Sequence, residues 1–236
     1  DCIEWIYERP HEDRNPLASD AGIAEIRSLM DETGIAVRSV CADYYMEDML
    51  IDPAGATRPH VVDHLRRLIT QAAKLNAIYI VLPFVDASSL KTEAQRNGTA
   101  DLLLKMAPYA EGAGVELHLE TDLEPGVFRK LLDGIGAPFI RANFDIGNSA
   151  ALGYDPAQEI TALAPWLGSV HVKDRMLGGG TVALGTGNAD LPTCFRMIRE
   201  AGFGRHFVLQ AARGEDGKEI ELAAHNRAFV ESQMAT

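Results

Sequence analysis

VELHLE, residues 115–120, alternates apolar and polar side chains without a break. Successive residues of a strand point to opposite faces, so Val115, Leu117 and Leu119 form one set and Glu116, His118 and Glu120 the other. IRANFD (140–145) and SVHVK (169–173) repeat the pattern. There Ile140, Ala142, Phe144, Val170 and Val172 oppose Arg141, Asn143, Asp145, Ser169, His171 and Lys173. Each run is followed by a loop and a helix-like stretch, which is the mark of βα units. Strands sandwiched between helices, or lining a barrel, have no solvent face. The polar set must therefore converge on something.

Outward from this run the same organisation covers the chain. Strands are predicted at Ile3–Tyr7, Val37–Ala42, Ile78–Leu82, Val115–Glu120, Ile140–Asp145, Ser169–Lys173 and Phe207–Ala211. Helices are predicted near Ser19–Thr33, Arg58–Leu75, Thr92–Glu111, Pro125–Leu132, Pro156–Ala164, Leu191–Ala201 and Gly217–Gln233. Gly34, Gly114, Gly136 and Gly202 follow four of them, where a C-terminal cap calls for a left-handed residue. The expectation is an α/β fold, a TIM (β/α)8-type barrel in one domain over residues 1–236 that lacks its first βα unit in this chain. An open seven-stranded sheet is the alternative.

Composition narrows the function. With 47% hydrophobic and 24% charged residues the chain can bury a large core. A formal net charge of −12 repels nucleic-acid backbones, so no nucleic-acid partner is expected. No apolar run approaches the roughly 18 residues of a membrane helix, so neither a membrane partner nor any compartment but the cytoplasm is expected. Cys2, Cys41 and Cys194 lack the spacing of a disulfide framework or a zinc knuckle. A small molecule is the favoured partner.

Barrels of this kind build their sites where strands end. Glu120, Asp145 and His171 all sit at that level, and two carboxylates with an imidazole suit Mn²⁺, Mg²⁺, Co²⁺ or Zn²⁺. Gln210, ending VLQ on the next strand, can add an amide oxygen. Singly each has a plain structural reading: Asp145 could turn the chain before Gly147, and His171 could be a satisfied core histidine. Jointly they read as a divalent-metal site.

HLETD (118–122), FDIGNSAALGYDP (144–156), HVKDR (171–175) with VALGTGNAD (182–190), and VLQAARGEDG (208–217) resemble the sugar-phosphate isomerase/epimerase family, the xylose-isomerase-like barrels. They look most like the ketose-phosphate 3-epimerase branch. The resemblance implies a metal held by Glu, Asp, His and a final Glu, with the first and last Glu exchanging protons. Here those positions are Glu120, Asp145, His171 and Gln210, and the last is a departure, because a carboxamide has no proton to exchange. The implied chemistry is proton abstraction beside the carbonyl of a ketose or ketose phosphate, with Glu120 as base and an enediolate stabilised by the ion. A homo-oligomer is also implied.

Without a second Glu, His118 and Lys173 are the candidate reprotonating groups. Lys173 could equally be a salt-bridge partner of Asp174 or Glu116. Asn148, Arg175, Arg213 and Glu4 are candidate substrate-binding residues, with Gly178–Gly180 as bare amides or as an ordinary loop. An ion pair with Arg38 or Arg141 would explain Glu4 equally well. Tyr7, Tyr44, Tyr45 and Phe84 follow strand ends and could pack on a sugar face. Competing readings are a dehydratase of a cyclic polyol ketone, a DNA-repair endonuclease, disfavoured by the acidic charge, and a catalytically degenerate sugar-binding barrel.

Overall fold

Four parallel strands, β1 (Cys2–Ile6), β2 (Ala36–Cys41), β3 (Tyr79–Phe84) and β4 (Glu116–Thr121), pair in chain order. Parallel neighbours cannot be joined by a tight turn, and helices make the crossings: α1 (Asp20–Thr33), the short α2 (Tyr44–Glu47), α3 (Pro59–Lys74) and α4 (Glu93–Ala113). Helix α5 (Pro125–Ile135) follows β4. Next come β5 (Ile140–Asp145), α6 (Ile146–Leu152), α7 (Pro156–Leu163) and β6 (Leu167–Val172). A small antiparallel hairpin, β7 (Asp174–Arg175) with β8 (Thr181–Val182), precedes α8 (Leu191–Glu200), β9 (Phe207–Leu209) and α9 (Glu219–Met234). Strands β5, β6 and β9 are parallel in that order.

This computed structural model describes residues 1–234. Its contacts group into two compact units, residues 1–123 with 130–141, and residues 124–129 with the chain from Ala142 onward. Among the described residues no helix is long and apolar enough to cross a membrane.

Local chemistry explains where the helices start and stop. The Ser19 hydroxyl accepts the Gly22 N–H at the start of α1, and Thr92 with Gln95 forms a capping box on α4. Gly34, Gly114, Gly136 and Gly202 all take positive φ (70°, 70°, 61° and 75°), the left-handed conformation that a residue without Cβ adopts at little cost. Helix α3 buries Val61, Leu65, Leu68, Ile69 and Ala72 along one stripe. Truncating one of these, Leu65→Ala for instance, removes about 2–5 kcal/mol.

The alternation read from the sequence is present in the burial. Leu117, Leu119, Ile140, Ala142, Val170 and Val172 are fully buried, and so are the polar residues His118, Ser169 and His171 between them. Both faces of these strands are buried along most of their length, and Glu116 and Arg141 are partly exposed. All seven expected strands occur within two residues of their predicted ends. Helix α6 and the β7–β8 hairpin were not expected. At seven residues α6 is too short for periodicity to register, and its start is fixed by a side-chain cap.

Candidate metal centre

Asp145 ends β5 and caps α6. Its Oδ1 accepts the Asn148 backbone N–H at 2.8 Å, which commits that oxygen to the helix start. Its Oδ2 lies 2.8 Å from Lys173 Nζ and 3.8 Å from His171 Nδ1. Burial by itself would raise this carboxyl, but the His171 imidazole and the Lys173 ammonium outweigh it and draw the pKa down to about 2. Asp145 is therefore an anion at any ordinary pH, as a hard-cation ligand must be.

His171 stands opposite Asp145 in the β5–β6 register and is fully buried. Gln210 follows β9, its backbone N–H bound to the Val172 carbonyl at 3.1 Å. Its side-chain Oε1 is buried with no hydrogen-bond partner among the described residues. A buried amide oxygen left unpaired costs about 1–3 kcal/mol, so it calls for an explanation, and a cation supplies one.

Glu120 ends the alternating run on β4 and is 5% exposed. Glu120, Asp145 and His171 each offer one ligand atom, and these atoms lie within 4.8 Å of one another. Two carboxylates and an imidazole so placed fit a divalent ion, and the orphaned Gln210 oxygen is of a kind such an ion accepts.

The remaining expected residues divide. Lys173 pairs with Asp145, an acid outside the two structural partners expected for it, Asp174 and Glu116. Gly147 makes this possible, since a Cβ there would lie 2.6 Å from Lys173 Cγ. His118 is turned to structural neighbours: its Nε2 is 3.0 Å from Glu116 Oε2, and its ring stacks on Tyr79 with centroids 4.2 Å apart. Arg141 binds the other oxygen of Glu116 at 3.1 Å. Arg141 is thus not the partner of Glu4. Nor is Arg38, which is exposed, and Glu4 accepts the Ser39 hydroxyl at 2.8 Å. The Cys41 thiol is pushed up by burial and then by the charges of Asp43, Glu4 and Glu120, which brings Glu4 and Glu120 into one neighbourhood.

Arg175 and Asn148 hold each other, Nη1 to Oδ1 at 2.8 Å, while Arg175 Nε and Nη2 both donate to the Gly179 carbonyl at 3.1 and 2.8 Å. This guanidinium fixes the β7–β8 hairpin, which accounts for Gly178–Gly180 as a loop. Arg213 is exposed in the segment after β9. Tyr7, Tyr44 and Tyr45 gather around His64, whose ring stacks on Tyr44 at 4.1 Å between centroids.

Two features escaped sequence reasoning. Asp174, fully buried, accepts the backbone N–H groups of Gly185, Gly187 and Ala189 at 2.9, 2.8 and 3.0 Å. A Cβ at Gly187 would fall 2.2 Å from its Oδ1. The glycines of the 185–190 motif serve that carboxylate, and the signal was the Asp directly following His171-Val-Lys. The second is Glu159 on α7, whose buried Oε2 has no hydrogen-bond partner among the described residues. Burial drives its pKa up to about 7, against a hydrogen bond from Ser149 that lowers it. A lone Glu in a helix carries no sequence signal for such burial.

Comparison with known proteins agrees with this architecture. A family described as xylose isomerase-like TIM barrel matches residues 1–233. The L-ribulose-5-phosphate 3-epimerase UlaE of Salmonella paratyphi A is 24% identical over 216 residues, which cover 88% of this chain and 76% of that protein. A solved L-ribulose 3-epimerase has a TM-score of 0.75 at 21% identity, over 100% of this chain and 84% of that one. The IOLI protein with a bound zinc atom reaches 0.79 at 16% identity, over 99% and 89%. At such identities the solved structures establish a common fold, a barrel of parallel strands and helices.

Proposed function

The chain belongs to the xylose isomerase-like TIM barrel family, and from that premise we propose that it is a divalent-metal-dependent isomerase or epimerase of a ketose or ketose phosphate. The observation that carries the reading is the convergence of Glu120, Asp145 and His171, with their ligand atoms within 4.8 Å. The curated relatives named as L-ribulose-5-phosphate 3-epimerases support the substrate class. The reading takes residues 1–236 as one catalytic domain, since a single family description runs through both units. It extends to a homo-oligomer and, from the charge of −12, to a protein with no nucleic-acid partner.

Asp145, His171 and Gln210 hold the ion together with Glu120, and Mn²⁺, Mg²⁺, Co²⁺ and Zn²⁺ all suit these donors. When bound, the ion supplies Lewis acidity that stabilises an enediolate of the substrate. Glu120 takes the proton next to the carbonyl. Lys173, held on Asp145 at 2.8 Å, orients that ligand and places a positive charge beside the developing negative one. His118 acts through Glu116 and Tyr79 as a support of β4. Asn148 and Arg175 fix the segment after Asp145, and Glu4 and Arg213 are left as contacts for substrate hydroxyl or phosphate oxygens.

Gln210 favours a second reading. Its amide cannot return a proton, so a dehydratase of a cyclic polyol ketone, which loses hydroxide instead, competes with epimerisation. Incubation of metal-loaded protein with a ketose panel in deuterated water separates the two. An epimerase gives isotope-labelled sugar without loss of water, and a dehydratase gives an enone absorbance. Glu120→Gln should lower turnover by about 10²–10⁴-fold. Purified protein that binds no divalent metal and turns no ketose over would sink the proposal and leave a degenerate sugar-binding barrel, and unchanged turnover in Glu120→Gln would sink it by removing Glu120 as the base.

A further inference from the structure

Helix α3 carries a polar row beside its buried stripe. His64, Arg67, Gln71 and Lys74 are spaced by three, four and three residues, so they share one face of the helix. They line a cavity of about 290 Å³ in the first unit, with Tyr7, Glu12 and Tyr109 among its other walls. None of Glu120, Asp145, His171 and Gln210 lines it. The volume is just under the range typical of drug-sized ligands, about 300–1,000 Å³, and suits a small metabolite.

The charged groups on this wall are unequally engaged. Lys74 is 2.6 Å from Asp20, and Arg66, which also lines the cavity, is 3.2 Å from Asp63. Arg67 has no hydrogen bond or ion pair among the described residues. Glu12 is the one carboxylate on the wall, and it is drawn to the His64 ring at 3.4 Å and the Tyr7 hydroxyl at 3.5 Å. His64 meets the Tyr45 hydroxyl at 3.0 Å and the Tyr7 hydroxyl at 3.3 Å. Burial, and after it Arg67 among the nearby charges, keeps the His64 imidazole below its ordinary pKa. The Thr70 and Tyr109 hydroxyls lie 2.6 Å apart.

An open guanidinium fork with a second one beside it matches the several acceptor oxygens of a phosphate better than the two of a carboxylate. The Thr70 and Tyr109 hydroxyls, which also line the cavity, match a polyol. We propose that this cavity is a second ligand site, separate from the metal centre, that binds a small phosphate monoester of a polyol with its phosphate on Arg67 and Arg66.

Calorimetric titration of the full chain with inorganic phosphate, and separately with malonate, tests the site. Phosphate should bind saturably and more tightly than malonate. Arg67→Ala should weaken phosphate by about tenfold or more, and Arg67→Lys should weaken it less while losing the fork geometry. Thermal melting should be unchanged in both variants, because Arg67 is exposed and unpaired among the described residues. Asp145→Ala should leave phosphate binding intact. The proposal is overturned by absence of saturable binding, by Arg67→Ala binding as wild type does, or by malonate binding as tightly as phosphate. Loss of binding in Asp145→Ala also overturns it, by assigning the phosphate to the metal centre. Failure of the isomerase reading would leave these outcomes untouched.

Discussion

Glu116, His118 and Arg141 in the first unit and Asp145, His171 and Gln210 in the second are polar residues of the same alternating strands, or of the residue just past one, yet their surroundings differ in kind. Around Glu116 the valences close: one oxygen meets His118, the other meets Arg141, and the His118 ring lies flat on Tyr79. In the second set Asp145 is held anionic at about pKa 2 by His171 and by Lys173, whose Nζ lies 2.8 Å away, while Gln210 Oε1 faces no donor among the described residues. A satisfied network makes a core rigid, whereas a forced anion and an unmet acceptor such as Gln210 Oε1 are what a cation would complete. Burial therefore does not distinguish a structural polar residue from a functional one. The state of its partners does.

The largest expected effect tests the open set. Asp145→Ala should abolish metal binding and reduce turnover by about 10³-fold or more, and it should cost about 3–5 kcal/mol of stability in the metal-free protein, because it removes both the cap on α6 and the buried partner of the Lys173 ammonium. Metal analysis and chemical denaturation measure the two separately, and retained metal would break the contrast between the clusters.

Next comes Glu159, an acid buried without a full complement of partners. Its folded pKa of about 7 lies above the unfolded carboxylate range, so its favourable contribution is full below about pH 4.5 and is lost as pH rises through 7. Glu159→Gln removes that dependence. The stability of the variant relative to wild type should rise between pH 5 and 8 by up to about 3 kcal/mol. Parallel curves across that window would show Glu159 to be better solvated than its burial indicates.

The smallest effect belongs to the closed set. His118→Leu should cost about 1–3 kcal/mol, because it leaves one oxygen of Glu116 unpaired. That lowers Tm by a few degrees in a chain of this size. Metal affinity should stay within a few-fold of wild type. A large loss of metal would make His118 part of the centre and erase the distinction.

Much of this was legible in the residues themselves. The period of two in VELHLE, IRANFD and SVHVK depends only on backbone geometry, and it sorted Glu120, Asp145 and His171 onto one face. Glycines with positive φ marked the helix ends because only a residue without Cβ adopts that conformation at little cost. What could not be read were partners supplied from distant positions. Lys173 was weighed against two acids and took a third, Asp145, across the space that Gly147 leaves open. Arg175 lay in the row of candidate anion binders and closed on Gly179 and Asn148 instead.

The sequence by itself thus determined the strand and helix pattern and the alternation that sets Glu120, Asp145 and His171 against their apolar neighbours, which follow from local periodicity, and its resemblance to the family implied the departure at Gln210. Only the tertiary structure decided which polar groups are satisfied, and so separated the His118 network from the unmet Gln210 Oε1. Hydrogen bonds and charge pairing act over distances of about 3–4 Å, and residues far apart in sequence reach that range only after the chain has folded.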